Sequence, residues 1–149
     1  MCNCAVKKLV LVSVILTLWS QAISSQPRSC SSVESEKADR EASRLRTWDA
    51  LYQSYHRFAH CDDGSIAEGY SESVVRILAD RWDTLPRISV LSANDQQFQK
   101  FVLRHIDATL DTNDVKKIRR NAIHRCPSGE DDFCGQVKTA ADKALKEME

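Results

Sequence analysis

His56 and His60 stand four residues apart, with Cys61 directly after them. On a helix this spacing sets two imidazoles on one face, an arrangement that can hold zinc. Arg57 occupies the position where a zinc protease carries its glutamate. A helix end bearing two exposed histidines beside a disulfide is the reading that remains. Asp107, Thr109, Asp111 and Asn113 repeat the alternating ligands of a calcium loop. That loop needs a turn glycine and a bidentate glutamate, and Thr112 and Ile118 stand in their places. The stretch from Asp111 to Asp114 is expected to cap a helix. Gly69, Ser71 and Ser73 fall one glycine short of a nucleophile elbow, and no strand precedes them. Cys126 follows His124 by two residues, a spacing that turns the two side chains apart on a helix. The sequence carries no catalytic signature, and no metal or cofactor is expected. What is left is acidic: Asp62 with Asp63, and Glu130, Asp131 and Asp132 in a loop.

The elements that must position these groups are helical. Leu45, Trp48, Leu51, Tyr52, Tyr55, Phe58 and Ala59 recur at three- and four-residue steps, which predicts one long helix from about Ala38 to His60. Ser65 with Glu68 has capping-box spacing for a second helix, which carries Ile66, Tyr70, Val74, Ile77, Leu78 and Trp82. Gly69 and Ser73 on that helix permit close approach by a neighbour, within the chain or across a dimer. Pro86 opens a short helix. Phe98, Phe101, Val102, His105 and Ile106 mark the next, then Val115, Ile118, Ala122 and Ile123, and last Phe133, Val137, Ala141, Ala144 and Leu145. No segment alternates apolar and polar residues as a strand does. The expected fold is all-α, a bundle of five or six helices with short connections.

Compartment is written at the N-terminus. Lys7 and Lys8 precede an apolar run over residues 9–19, and Ala22 and Ser24 are small residues at the −3 and −1 positions of a cut before Ser25. Residues 1–24 are read as a secretory signal peptide, 25–37 as a mobile polar tail and 38–149 as one helical domain. Cleavage lowers the Lys+Arg count from 21 to 19 against 21 acids, a net charge of about −2. Such a surface offers no basic field for nucleic acid, and no second apolar run suggests a membrane span after processing. The expected localisation is periplasmic. Leu, Ile, Val and Phe make up 25 of the 125 processed residues, a thin core that disulfides would support.

Cys2 and Cys4 leave with the signal peptide, and four cysteines remain. Cys126 and Cys134 bracket a short loop, and a bridge there is the favoured pair, worth roughly 2–3 kcal/mol. Cys30 with Cys61 would complete the set, but reach opposes it. A straight helix over residues 38–60 is about 35 Å long, whereas the lead from Cys30 spans only about 27 Å. That bridge requires a helix that starts nearer Ser43. Otherwise Cys61 pairs with a cysteine of the C-terminal half.

A Tyr/Phe-rich helix end, Cys61, a short polar turn, and a helix with Ala67, Gly69 and Ser73 that ends in Trp82 follow one another over residues 48–82. This order resembles the periplasmic immunity proteins of type VI secretion amidase effectors. The resemblance implies a small, helical, disulfide-bearing and usually dimeric protein that binds a peptidoglycan-cleaving amidase and plugs its active-site cleft. No family contact residue maps onto a numbered position here. The contact surface expected from the residues themselves is the loop over 127–133, with Ser128, Gly129, Glu130, Asp131 and Asp132 facing the partner. A generic periplasmic binding or structural protein, a lysozyme-type inhibitor and a secreted enzyme are the alternatives. An enzyme would require a polar cleft that joins His56, His60, His105 or His124 to a carboxylate.

Overall fold

The chain turns helical earlier than its apolar pattern implies. A computed structural model describes residues 28–149, and in it helix α1 runs Ser32–Ala42. A reciprocal cap starts it: the Glu34 N–H donates to Ser31 Oγ at 3.3 Å, and the Ser31 N–H donates to Glu34 Oε2 at 3.2 Å. Residues 32–37, expected as part of a mobile tail, are therefore the first half of a helix. The expected signal peptide, with Cys2 and Cys4, lies outside the described residues, as do residues 25–27.

The single long helix expected over 38–60 is two helices. Helix α1 stops at Ala42, and α2 occupies Trp48–Phe58, capped by Thr47 Oγ1, which accepts the Ala50 N–H at 3.2 Å. A 3₁₀ turn, Ala59–Cys61, continues it. Ser73, fully buried on the next helix, holds the break. Its hydroxyl donates to the Ala42 carbonyl at 2.5 Å and accepts the Leu45 N–H at 3.2 Å. Two short helices that fold back on each other remove the reach problem. Cys30 and Cys61 form a disulfide, with Cα atoms 5.0 Å apart.

Helix α3, Gly64–Asp80, is the centre of the bundle, with ten of its 17 residues buried. Its cap is Asp63, whose Oδ1 accepts the Gly64 N–H at 2.8 Å. Ser65 does not cap it and instead donates to Asp39 Oδ1 of α1 at 2.6 Å. Helix α1 crosses α3 at Gly69, where a Cβ would lie 2.9 Å from Ala42 Cβ and 3.0 Å from the Ser43 backbone nitrogen. The Gly69 and Ser73 face is thus closed from within the chain. Backbone cannot move aside as a flexible side chain would, so Gly69→Ala is expected to destabilise the fold by about 1–3 kcal/mol, read by chemical denaturation.

A 3₁₀ turn, Trp82–Thr84, leads to α4, Pro86–Ser92, and then α5, Gln96–Arg104. Helix α6 is Thr112–His124, capped by Asp111, and α7 is Asp131–Glu147. The described residues hold seven α-helices where five or six are expected, because α1 and α2 are separate. Helices α6 and α7 pack on each other, and α6 also packs on α3. Tyr70 of α3 touches both α5 and α2. Its ring lies 5.1 Å from that of Phe101, and its hydroxyl is 2.8 Å from Ser54 Oγ. Burial pushes the Tyr70 phenol up to about 12. No helix among the described residues is long and apolar enough to cross a membrane.

Candidate functional site

The segment joining α6 to α7 is held at both ends. The Trp82 indole donates to the Arg125 carbonyl at 2.7 Å, fixing the exit from α6. Cys126 and Cys134 form the second disulfide, with Cα atoms 6.0 Å apart. Between them the Glu130 N–H donates to the Pro127 carbonyl at 3.1 Å, closing a turn. Gly129 sits at φ +84°, a conformation that a side chain would strain. The Cys134 N–H donates to the Glu130 carbonyl at 2.8 Å, and Phe133 is buried beneath.

This brings the five expected contact residues onto one edge, though not as one loop. Ser128, Gly129, Asp131 and Asp132 are exposed. Asp131 and Asp132 already belong to the first turn of α7, where the helix dipole favours their charge. Glu130 is half-buried, and its carboxylate accepts a hydrogen bond from the Ser89 hydroxyl of α4. Of the three large apolar residues exposed among the described residues, Ile123 lies three positions before Cys126, and Val90 follows Ser89, the residue that bonds Glu130.

The histidines separate. His56 Nε2 lies 3.2 Å from Asp95 Oδ2, and its ring meets Tyr52 edge-on at 4.4 Å. His60 Nε2 lies 3.3 Å from Glu34 Oε1. The two imidazoles face acids on different elements. The calcium-like residues also serve local structure. Asp107 Oδ1 accepts the Thr109 N–H at 2.9 Å, and Asp111 Oδ1 accepts the Asn113 N–H at 2.8 Å.

One polar arrangement escapes the sequence reading. His105, 3% exposed, donates from Nδ1 to the Phe101 carbonyl at 2.7 Å, and its Nε2 is 3.1 Å from Asp62 Oδ1. Arg104 Nη2 pairs with the other oxygen of Asp62. Burial works to raise the Asp62 carboxyl, but the hydrogen bond and charge of His105, aided by Arg104, outweigh it and hold the group below its ordinary 3.8. Asp107 is lowered as well, since hydrogen bonds from Thr109 and Ser71 outweigh its burial. A cleft of about 230 Å³ opens here, bounded by Asp62, Ser71, Arg104, His105 and Asp107. The two ring nitrogens of His105 face the Phe101 carbonyl and the Asp62 carboxylate. Ser71 donates its hydroxyl to Asp107 Oδ2 at 2.7 Å and not to an imidazole. The pair ties the turn after Cys61 to the end of α5. A histidine on the apolar stripe of α5 is the signal that points to it, since burial there demands a partner.

These features define an all-helical bundle closed by two disulfides. No protein-family model, curated protein or solved structure matches the chain.

Proposed function

We propose that the protein is an exported, non-enzymatic binding module that acts in the periplasm by inserting the edge over residues 128–132 into the cleft of a partner enzyme. The observation that carries this reading is the edge itself. It is anchored by the Trp82 indole, the Cys126–Cys134 disulfide and the Gly129 turn, and it leaves Asp131 and Asp132 exposed. A segment already ordered loses little freedom on binding. Its carboxylates supply acceptors and negative charge to a polar or basic cleft, which favours the encounter and fixes register. Two disulfides suit an oxidising compartment. The sequence resemblance supplies the class of partner, a peptidoglycan amidase whose active site is occluded so that the producing cell is protected.

Asp131→Lys with Asp132→Lys tests the assignment. Both side chains are exposed and make no hydrogen bond to the rest of the bundle, so the fold survives, with a loss of about 1–2 kcal/mol from reversing charge at a helix start. Like-charge contact with a basic cleft costs several kcal/mol, so affinity for the amidase falls by roughly 100-fold or more. Full protection by the double variant in cells that co-express the amidase places the contact elsewhere.

A further inference from the structure

The disulfide that closes α1 against the end of α2 has a third donor beside it. Cys30 Sγ, Cys61 Sγ and a ring nitrogen of His60 all lie within 4.8 Å of one another, and no other such group of three occurs among the described residues. The His60 side chain is 14% exposed, and its Nε2 is covered yet makes no hydrogen bond. Glu34 Oε1 faces that nitrogen at 3.3 Å as an ion-pair partner. Two sulfurs and an imidazole are three of the donors zinc takes in four-coordinate sites, where water can fill the fourth position.

We propose that the Cys30–Cys61 disulfide is the oxidised form of a zinc site in which the two thiolates and His60 hold one Zn²⁺, with water as the fourth ligand. The reductant is an external dithiol. Its thiolate attacks the Cys30 sulfur and expels the Cys61 thiolate. Its second thiol then resolves the mixed disulfide. The dithiol leaves as a disulfide, and both cysteines become thiols. Zn²⁺ replaces their two protons, which pass to water. Cys30 is exposed, and a cleft of about 560 Å³ lined by Cys30, Ser31, Ser35, His60, Cys61 and Asp63 admits the dithiol. Cys30 also directly precedes the Ser31 cap of α1, where the helix dipole favours a thiolate. Zinc–sulfur bonds of about 2.3 Å set tetrahedral sulfurs roughly 3.8 Å apart. Cys30 precedes the first helix, so a turn of its side chain supplies that separation. The site is independent of the partner assigned to the acidic edge.

The test uses the whole chain, reduced with a dithiol, freed of it without oxygen, and titrated with Co²⁺ and then Zn²⁺. One Co²⁺ per chain is expected, with thiolate-to-cobalt charge-transfer absorption and tetrahedral d–d bands, and Zn²⁺ displaces it. Cys30→Ser and His60→Gln each weaken Co²⁺ binding by roughly tenfold or more, while Cys134→Ser leaves it intact. Zn²⁺ also raises the melting temperature of the reduced chain, or refolds it if reduction has unfolded it, and His60→Gln removes that effect. Absence of the charge-transfer band overturns the proposal. So does a band that survives His60→Gln and is lost in Cys134→Ser.

Discussion

Asp62→Ala lowers the unfolding free energy by about 3 kcal/mol, and Asp62→Asn lowers it by clearly less. The alanine variant leaves His105 buried with one ring nitrogen unanswered. Breaking one side of a buried pair costs roughly 3–5 kcal/mol. The lower end applies because Arg104, the third member, has a side chain 60% exposed and is screened. Asparagine keeps an acceptor oxygen for His105. The pH profile carries the sign. Asp62 is held below its ordinary 3.8 in the fold, so its stabilisation is complete above that value. It is lost as pH falls from there through the lower native value. The unfolding free energy therefore falls more steeply with decreasing pH across the acid range for the wild-type chain than for Asp62→Ala. Asp107, lowered in the same sense, leaves a residual slope in both.

Trp82→Ala costs more, roughly 3–5 kcal/mol. Trp82 is 3% exposed, so its removal opens a cavity in the bundle. It also removes the donor to the Arg125 carbonyl, one residue before the Cys126 bridge. The structure thus links core packing to the acidic edge. The prediction is a double effect: a lower melting temperature and weaker binding by the fraction that still folds. Trp82→Phe separates the two. It refills most of the cavity but leaves the carbonyl without its donor, so affinity falls more than stability does.

The apolar period locates α3, α5, α6 and α7, because each buries one continuous stripe. The same rule misplaces the N-terminal third. Helix α1 buries only Ala38 and Ala42, and a stripe of two alanines is invisible to a search for large apolar residues. The break after it is hidden for the opposite reason. Ala42, Leu45, Trp48 and Leu51 keep three-residue steps across residues 43–47, so the pattern runs on where the backbone turns. The turn is set by Ser73, 28 positions beyond Leu45, and by the tight crossing at Gly69. The Cys126–Cys134 bridge is legible because its loop is short. The Asp62–His105 pair is not, since its members are 43 positions apart and meet only once α5 has packed. Among the acidic residues, position in sequence shows charge. It does not show that Ser89 holds Glu130 while Asp131 and Asp132 remain free.

We propose that this disulfide-closed bundle works by blocking a partner enzyme's cleft. The most direct test is a titration of a purified peptidoglycan amidase with the purified, oxidised protein, following release of cell-wall peptide. The account predicts a linear fall in activity to near zero at one equivalent, with the purified bundle releasing no peptide alone. Undiminished amidase activity at large excess, or peptide release by the bundle itself, would contradict it.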